Sequence, residues 1–129
     1  MKLLKLTFAA LSMGLLILAG CKKKETVTTT KGIYYLNNKT PYSLHIEARK
    51  NGNLVNLLAD SVADSTMTHF CTVLNNTGGS VGPSEFFTEF KVLAHLPGGD
   101  SIFYEGVNDL SWEFNSLSDS DREYALTIN

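Results

Sequence analysis

Apolar and polar residues alternate with a period of two along most of the chain after Gly32, and no 3.6-residue stripe replaces that rhythm. From Leu44 to Lys50 the apolar Leu44, Ile46 and Ala48 interleave with His45, Glu47 and Arg49, as in a strand with one dry face. Asn51-Gly52 follows, a pair suited to a type I′ turn because both positions there take positive φ. Residues 53–58 are therefore predicted to fold back as the hairpin partner. Further strands are predicted over 33–36, 66–74, 86–96, 101–105, 112–114 and 123–128. The long one places Phe86, Phe90, Val92, Ala94 and Leu96 on one side and Glu89, Lys91 and His95 on the other. Pro97-Gly98-Gly99-Asp100 then turns the chain into a second hairpin. Residues 75–84, rich in Gly, Asn and Ser, read as a loop, and no stretch supports a long helix.

About eight short strands in about a hundred residues fit an all-β fold, an antiparallel β-sandwich of about seven to eight strands. The alternative is a small β-barrel, which usually takes a longer chain to enclose a cavity. Asp121 and Tyr124, with Leu126 and Ile128 after them, resemble the tyrosine corner of immunoglobulin-like sandwiches. The resemblance implies a phenol capping a turn before a late strand. The spacing departs by one residue from that pattern, and no cysteine stands where antibody domains have one.

Ahead of the β pattern the chain has another character. Lys2 and Lys5 precede an apolar run from Leu6 to Ala19 and then a cysteine, the layout of a secretory signal peptide. The run is too short to span a bilayer, which takes about 20 residues. At Leu18-Ala19-Gly20-Cys21 the sequence resembles the lipobox of bacterial lipoproteins. That resemblance implies diacylglycerol on the Cys21 thiol, cleavage after Gly20 and acylation of the new N-terminus. Several acyl chains hold a protein on a membrane where one lets it escape. Lys22 stands where Gram-negative sorting reads Asp as inner-membrane retention, so the resemblance implies the outer membrane, with either the periplasmic or the surface face allowed. The expected organisation is a signal peptide over 1–20, a lipidated cysteine and flexible polar tether over 21–31, and a single domain over 32–129.

The formal net charge of −2 hides an asymmetry. Residues 22–31 carry Lys22, Lys23, Lys24 and Lys31 against Glu25, a net of +3. Gly32 to Asn129 carries five Lys and Arg against twelve acids, a net of −7. A basic tether lies against anionic headgroups while an acidic domain is repelled from them. The balance also excludes nucleic acid as a partner, since phosphate binding needs clustered cations on the domain. With the Cys21 sulfur in a thioether, Cys71 has no disulfide partner. Within its apolar strand it reads as a small core residue, with a reactive or intermolecular thiol as the alternative.

The sites that chemistry would use are weak. Gly78-Gly79-Ser80-Val81-Gly82 matches G-x-S-x-G, but that nucleophile needs a strand-to-helix elbow followed in the chain by an acid and a histidine. Here Pro83 and a predicted strand come next, and His95 is the one later histidine. His45, His69 and His95 fall on three different predicted strands without zinc-type spacing, and His45 and His95 occupy solvent-facing positions. Asp119, Asp121 and Glu123 lack the twelve-residue calcium loop. Ser118 is better read as the N-cap of a short helical turn. Glycosidase carboxylates would have to converge from separate strands. No catalytic residue, no metal and no cofactor beyond the covalent lipid on Cys21 is expected.

Aromatic side chains are the other resource: Tyr34, Tyr35, Tyr42, Phe86, Phe87, Tyr104 and Trp112. Exposed rings stack on sugars or anchor protein partners, and Tyr34, Phe87 and Trp112 are the expected contacts if rings face outward, although a sandwich core claims most of them. The expectation is a non-catalytic, membrane-anchored binding or structural module of the cell envelope, presenting loops or an edge strand to a protein or glycan. An accessory docking subunit of a transport or adhesion complex, or a small enzyme of unfamiliar type, are the alternatives.

Overall fold

The computed structural model describes residues 29–129. The lipobox positions Leu18, Ala19, Gly20 and Cys21 lie outside them. Strand β1 (Thr30–Asn38) buries Gly32, Tyr34, Leu36 and Asn38 and leaves Ile33, Tyr35 and Asn37 half-covered, the two-residue period made physical. Strand β2 (Leu44–Lys50) likewise turns Leu44, Ile46 and Ala48 inward. Asn51 and Gly52 then take φ of 51° and 82°, as a type I′ turn requires.

The hairpin partner is shorter than predicted. Strand β3 (Asn53–Leu54) pairs with Arg49 and Lys50 only, and after Val55 N–H donates to the Ala48 carbonyl (3.0 Å) the chain leaves the ladder. Leu58 N–H donates instead to the Phe70 carbonyl of the other sheet (2.8 Å), while Leu57 packs against the core. The chain returns as β4 (Ser61–Val62), opposite Leu44 and His45. One edge of β2 is thus covered in two short pieces.

Strand β5 (Met67–Asn75) follows, then a single helical turn α1 (Pro83–Phe86) inside the region predicted as loop and strand. Pro83 at the start of that turn needs no N–H and brings a helical φ, so β6 (Glu89–Leu96) begins three residues later than expected. Phe86 consequently sits on α1, under the Lys50 ammonium at 4.8 Å, and not in the row of Phe90, Val92 and Ala94. Strand β7 (Gly99–Glu105) completes the second hairpin. A 3₁₀ turn (Asp109–Ser111) leads to β8 (Trp112–Ser116) and β9 (Asp121–Ile128).

The strands form two packed sheets, one ordered β5-β1-β9-β8 and the other β3-β2-β6-β7 with β4 also on β2. The all-β sandwich expected from the alternation is therefore the fold. All pairs are antiparallel except β1 with β9, which run parallel from Lys31 opposite Asp121 to Asn38 opposite Ile128. The immunoglobulin arrangement groups its first strand at an edge; here β1 is central, so the two share architecture and differ in strand order.

The core is aromatic. Tyr34, Phe70, Phe87, Phe90 and Trp112 are buried together, with Tyr34 edge-on to Phe87 at 5.2 Å and to Trp112 at 5.6 Å. Two devices tie the periphery to it. The Tyr34 hydroxyl donates to the Val81 carbonyl, and Gly32 lets that loop approach, since a Cβ at Gly32 would lie 3.0 Å from the Val81 Cβ. At the other end of β1, the buried Asn38 amide donates to the carbonyls of Tyr42 (2.7 Å), Val62 (3.2 Å) and Ala63 (3.1 Å). Its Oδ1 accepts from Thr40 N–H (2.9 Å) and Oγ1 (2.7 Å).

Candidate functional site

Tyr34, Phe87 and Trp112 were the rings expected to meet a ligand, and all three belong to the core. Inward-facing positions near the middle of the sandwich claim the largest side chains, because they remove the most apolar area from water. Burial holds the Tyr34 phenol well above its usual range. Tyr124 stacks on it at 5.1 Å and is raised by burial first, with Arg122 pulling back and Asp109 adding to the rise. The phenol that latches a loop is therefore Tyr34, while Tyr124, the residue of the tyrosine-corner resemblance, serves as core. Burial also pushes the Cys71 thiol up to about 11, in keeping with a small core residue.

The remaining sequence sites separate. Ser80 Oγ accepts from Gly82 N–H (3.3 Å) and its carbonyl from Asn75 (3.2 Å), whereas His95 Nδ1 pairs with Asp100 Oδ1 at 2.7 Å. No serine–histidine pair forms among the described residues. Ser118 does cap backbone, accepting from Ser120 N–H (3.3 Å) and Asp121 N–H (3.0 Å). The segment it caps is the β8–β9 hairpin turn, closed by Leu117 N–H to the Asp121 carbonyl (3.0 Å), and not a helical turn. Once Asp121 opens β9 the ladder to β8 takes its backbone, which a helix would have needed. His69 lies against Tyr35 at 5.3 Å with the rings tilted by 40°, on the outer face of the β1 sheet, and Tyr42 meets Phe103 at 5.9 Å. Tyr104 packs against Phe90 at 6.1 Å. Among the described residues no helix is long and apolar enough to cross a membrane.

What the surface does offer is an edge. Leu58 bonded to Phe70 places β3 and β4 over the β5 flank of the sandwich. On the other flank the chain crosses between the sheets from β7 to β8, and both strands end their sheets. Along that crossing and strand β8, Leu110 is 93 % exposed, Phe114 57 % and Leu117 53 %. Phe114 is in phase with the buried Trp112 and rests on Tyr124 at 5.3 Å, but no strand of the facing sheet covers it. Asp109 is spent on α1, accepting from Ser84 N–H (2.8 Å) and Oγ (2.6 Å), which fixes the crossing. Glu113 and Asn115 on β8 are exposed. The result is a strand that ends its sheet, with exposed apolar side chains and one acid along it. Sequence reasoning missed it because strand order decides which strand is an edge; the phase of Phe114 with Trp112 was the available signal.

On the outer face of the other sheet, Glu47, Arg49, Glu89, Lys91 and Glu105 line a shallow groove of about 260 Å³. Its charges pair across strands, Arg49 with Glu89 at 3.7 Å and Lys91 with Glu47 at 3.9 Å, as on an ordinary solvated sheet face. Comparison with protein-family models, curated proteins and solved structures found no match.

Proposed function

We propose that this chain is a lipid-anchored, non-catalytic docking module of the cell envelope, which engages a protein partner along the open edge of β8. The Leu18-Ala19-Gly20-Cys21 motif supports the anchor, with Lys22 favouring the outer membrane. The observation that carries the docking reading is the exposure of Leu110, Phe114 and Leu117 along a strand that ends its sheet. Natural edge strands are usually blunted by charge, proline or a covering loop. An edge left open with anchoring side chains is the geometry by which an extended segment adds a strand. Backbone bonds then supply affinity and contacts with the exposed apolar side chains supply choice.

Glu113 on β8 favours a partner segment with a basic residue flanking its apolar ones. A protein is preferred to a glycan because the exposed side chains at this edge are predominantly aliphatic, and sugars stack on flat rings. The tether enters at Thr30, opposite Asn75 and next to the Lys31–Asp121 pair, so Ser116 and Leu117 lie at the membrane-proximal end of the domain. The edge thus rises from the membrane side, where a neighbouring envelope protein can reach it.

The test is photo-crosslinking in intact envelopes from a benzoylphenylalanine placed at position 114, with position 35 on the outer face of the β1 sheet as comparison. One discrete protein adduct at 114, reduced by Leu110→Lys and absent at 35, supports the proposal. Adducts equal at both positions, or none at 114, overturn it. Retention on a glycan array that is insensitive to Leu110→Lys would instead favour the glycan reading.

A further inference from the structure

The fold brings together two of the three histidines that sequence spacing kept apart. His45 on β2 lies opposite Leu93 of β6, and His95 stands two residues beyond Leu93 on the same outer face. The two imidazole centroids are 5.3 Å apart with planes tilted by 45°. His95 Nδ1 is tied to Asp100 across the β6–β7 hairpin at 2.7 Å, which leaves its Nε2 facing outward from that bond. Among the described residues the His45 ring has no hydrogen-bond partner, so its nitrogens are available.

We infer that His45 and His95, with Asp100 orienting His95, form a surface site for a borderline transition-metal ion, Cu²⁺ above Zn²⁺. The separation suits the geometry of such a pair. Metal–nitrogen bonds of about 2.0–2.1 Å place each ring centre roughly 3.2 Å from the ion, so the tetrahedral angle of a zinc site sets the centres about 5.2 Å apart and the right angle of a tetragonal copper site about 4.5 Å, a small rotation of the rings from what is seen. The hydrogen bond from a ligating histidine to a carboxylate fixes the tautomer and makes the free nitrogen more basic. Imidazole donors suit copper, zinc and nickel, and the order of affinities for divalent ions places copper first. The surrounding domain carries a net of −7, which raises the local concentration of cations.

Among the described residues no group of three or more His, Cys, Asp or Glu side chains converges, so the protein supplies two ligands and water completes the shell. That arrangement keeps the ion exchangeable. The pair sits at the end of the sandwich remote from Thr30, since Leu44 begins β2 beside Val62 and the Asn38 network. The ion would therefore be held on the side facing away from the membrane, independent of the β8 edge.

The test uses the untagged full chain in detergent micelles, titrated with Cu²⁺ and separately with Zn²⁺ by calorimetry, with the histidine ring protons followed by NMR. One ion per chain is expected, with the His45 and His95 signals perturbed and that of His69 unmoved. His45→Ala and His95→Ala should each weaken Cu²⁺ binding at least tenfold, and Asp100→Asn about tenfold, with melting temperatures within a few degrees of the parent. His69→Ala should leave binding unchanged. No stoichiometric site, or a site whose affinity survives both His45→Ala and His95→Ala, overturns the inference, as does an equal loss with His69→Ala.

Discussion

Replacing Asn38 by alanine should cost this domain a large part of its stability although no apolar contact of the core is touched. The amide is fully buried and links β1 to the loop at Tyr42 and to the β4 return through Val62 and Ala63, so one side chain spans both sheets. Truncation leaves Thr40 N–H and the Val62 carbonyl without this buried partner, while Thr40 Oγ1 keeps its bonds to Tyr42. A buried polar group left unmet costs about 1–3 kcal/mol. Part-buried Tyr42 and Ala63 recover water, so a total of roughly 3–4 kcal/mol follows. Against a typical stability of about 5–15 kcal/mol, at about 4–8 °C per kcal/mol for a domain of this size, the melting temperature should fall by about 12–32 °C. Thermal melts and urea titrations of Asn38→Ala measure this, with Asn115→Ala on the exposed β8 as control. A loss below about 1 kcal/mol would refute the reasoning. Asn38→Asp adds a sign. It keeps the acceptor for Thr40 but sets a carboxylate against three carbonyls, which raises its folded pKa above the unfolded value. Its stability relative to wild type should be greatest in acid and fall as pH rises through the folded pKa.

The Cys71 thiol, pushed up from 9.0 to about 11 by burial, should resist Ellman's reagent at pH 8 until urea unfolds the chain; rapid labelling of native protein would contradict its place in the core. Because the folded value is raised, its contribution is complete below pH 9 and lost through pH 11, worth about 3 kcal/mol, and Cys71→Ala should remove that part of the alkaline loss in paired urea titrations at pH 8 and 11. Gly32→Val drives a side chain into Val81, 3.0 Å from the missing Cβ, and should cost about 1–3 kcal/mol with faster proteolysis around residues 76–82; an unchanged melt would contradict the close approach. Phe114→Lys, at a half-exposed ring, should cost no more than about 1 kcal/mol yet abolish partner adducts formed from a neighbouring edge position, so a large stability loss would reassign Phe114 to the core.

Local chemistry was legible in the chain. Leu44, Ile46 and Ala48 with Asn51-Gly52 specify a strand, its dry face and its turn within nine residues, and the structure reproduces all three. What depended on distant partners was not. Residues 53–58 read as one strand, but Leu58 finds its acceptor on Phe70 of the other sheet, a choice that only tertiary contacts make. The parallel β1–β9 pair is similarly invisible, because nothing in either strand's own pattern marks direction. Tyr34, Phe87 and Trp112 illustrate the limit for sites: hydrophobicity gives the energy of burial, while which ring is covered depends on the facing sheet. His45 and His95 sit 50 residues apart in the chain, and strand pairing alone makes them neighbours.

The central claim is that the β-sandwich rides on a lipid foot and needs no apolar surface of its own to stay on the membrane. Intact-mass spectrometry of the protein extracted from envelopes tests this most directly. The account predicts a chain beginning at Cys21 and heavier by a diacylglyceryl group and an amide-linked acyl chain, with Cys21→Ser giving no acylated product. A chain that still begins at Met1, or one cleaved there but with an unmodified thiol, would contradict it.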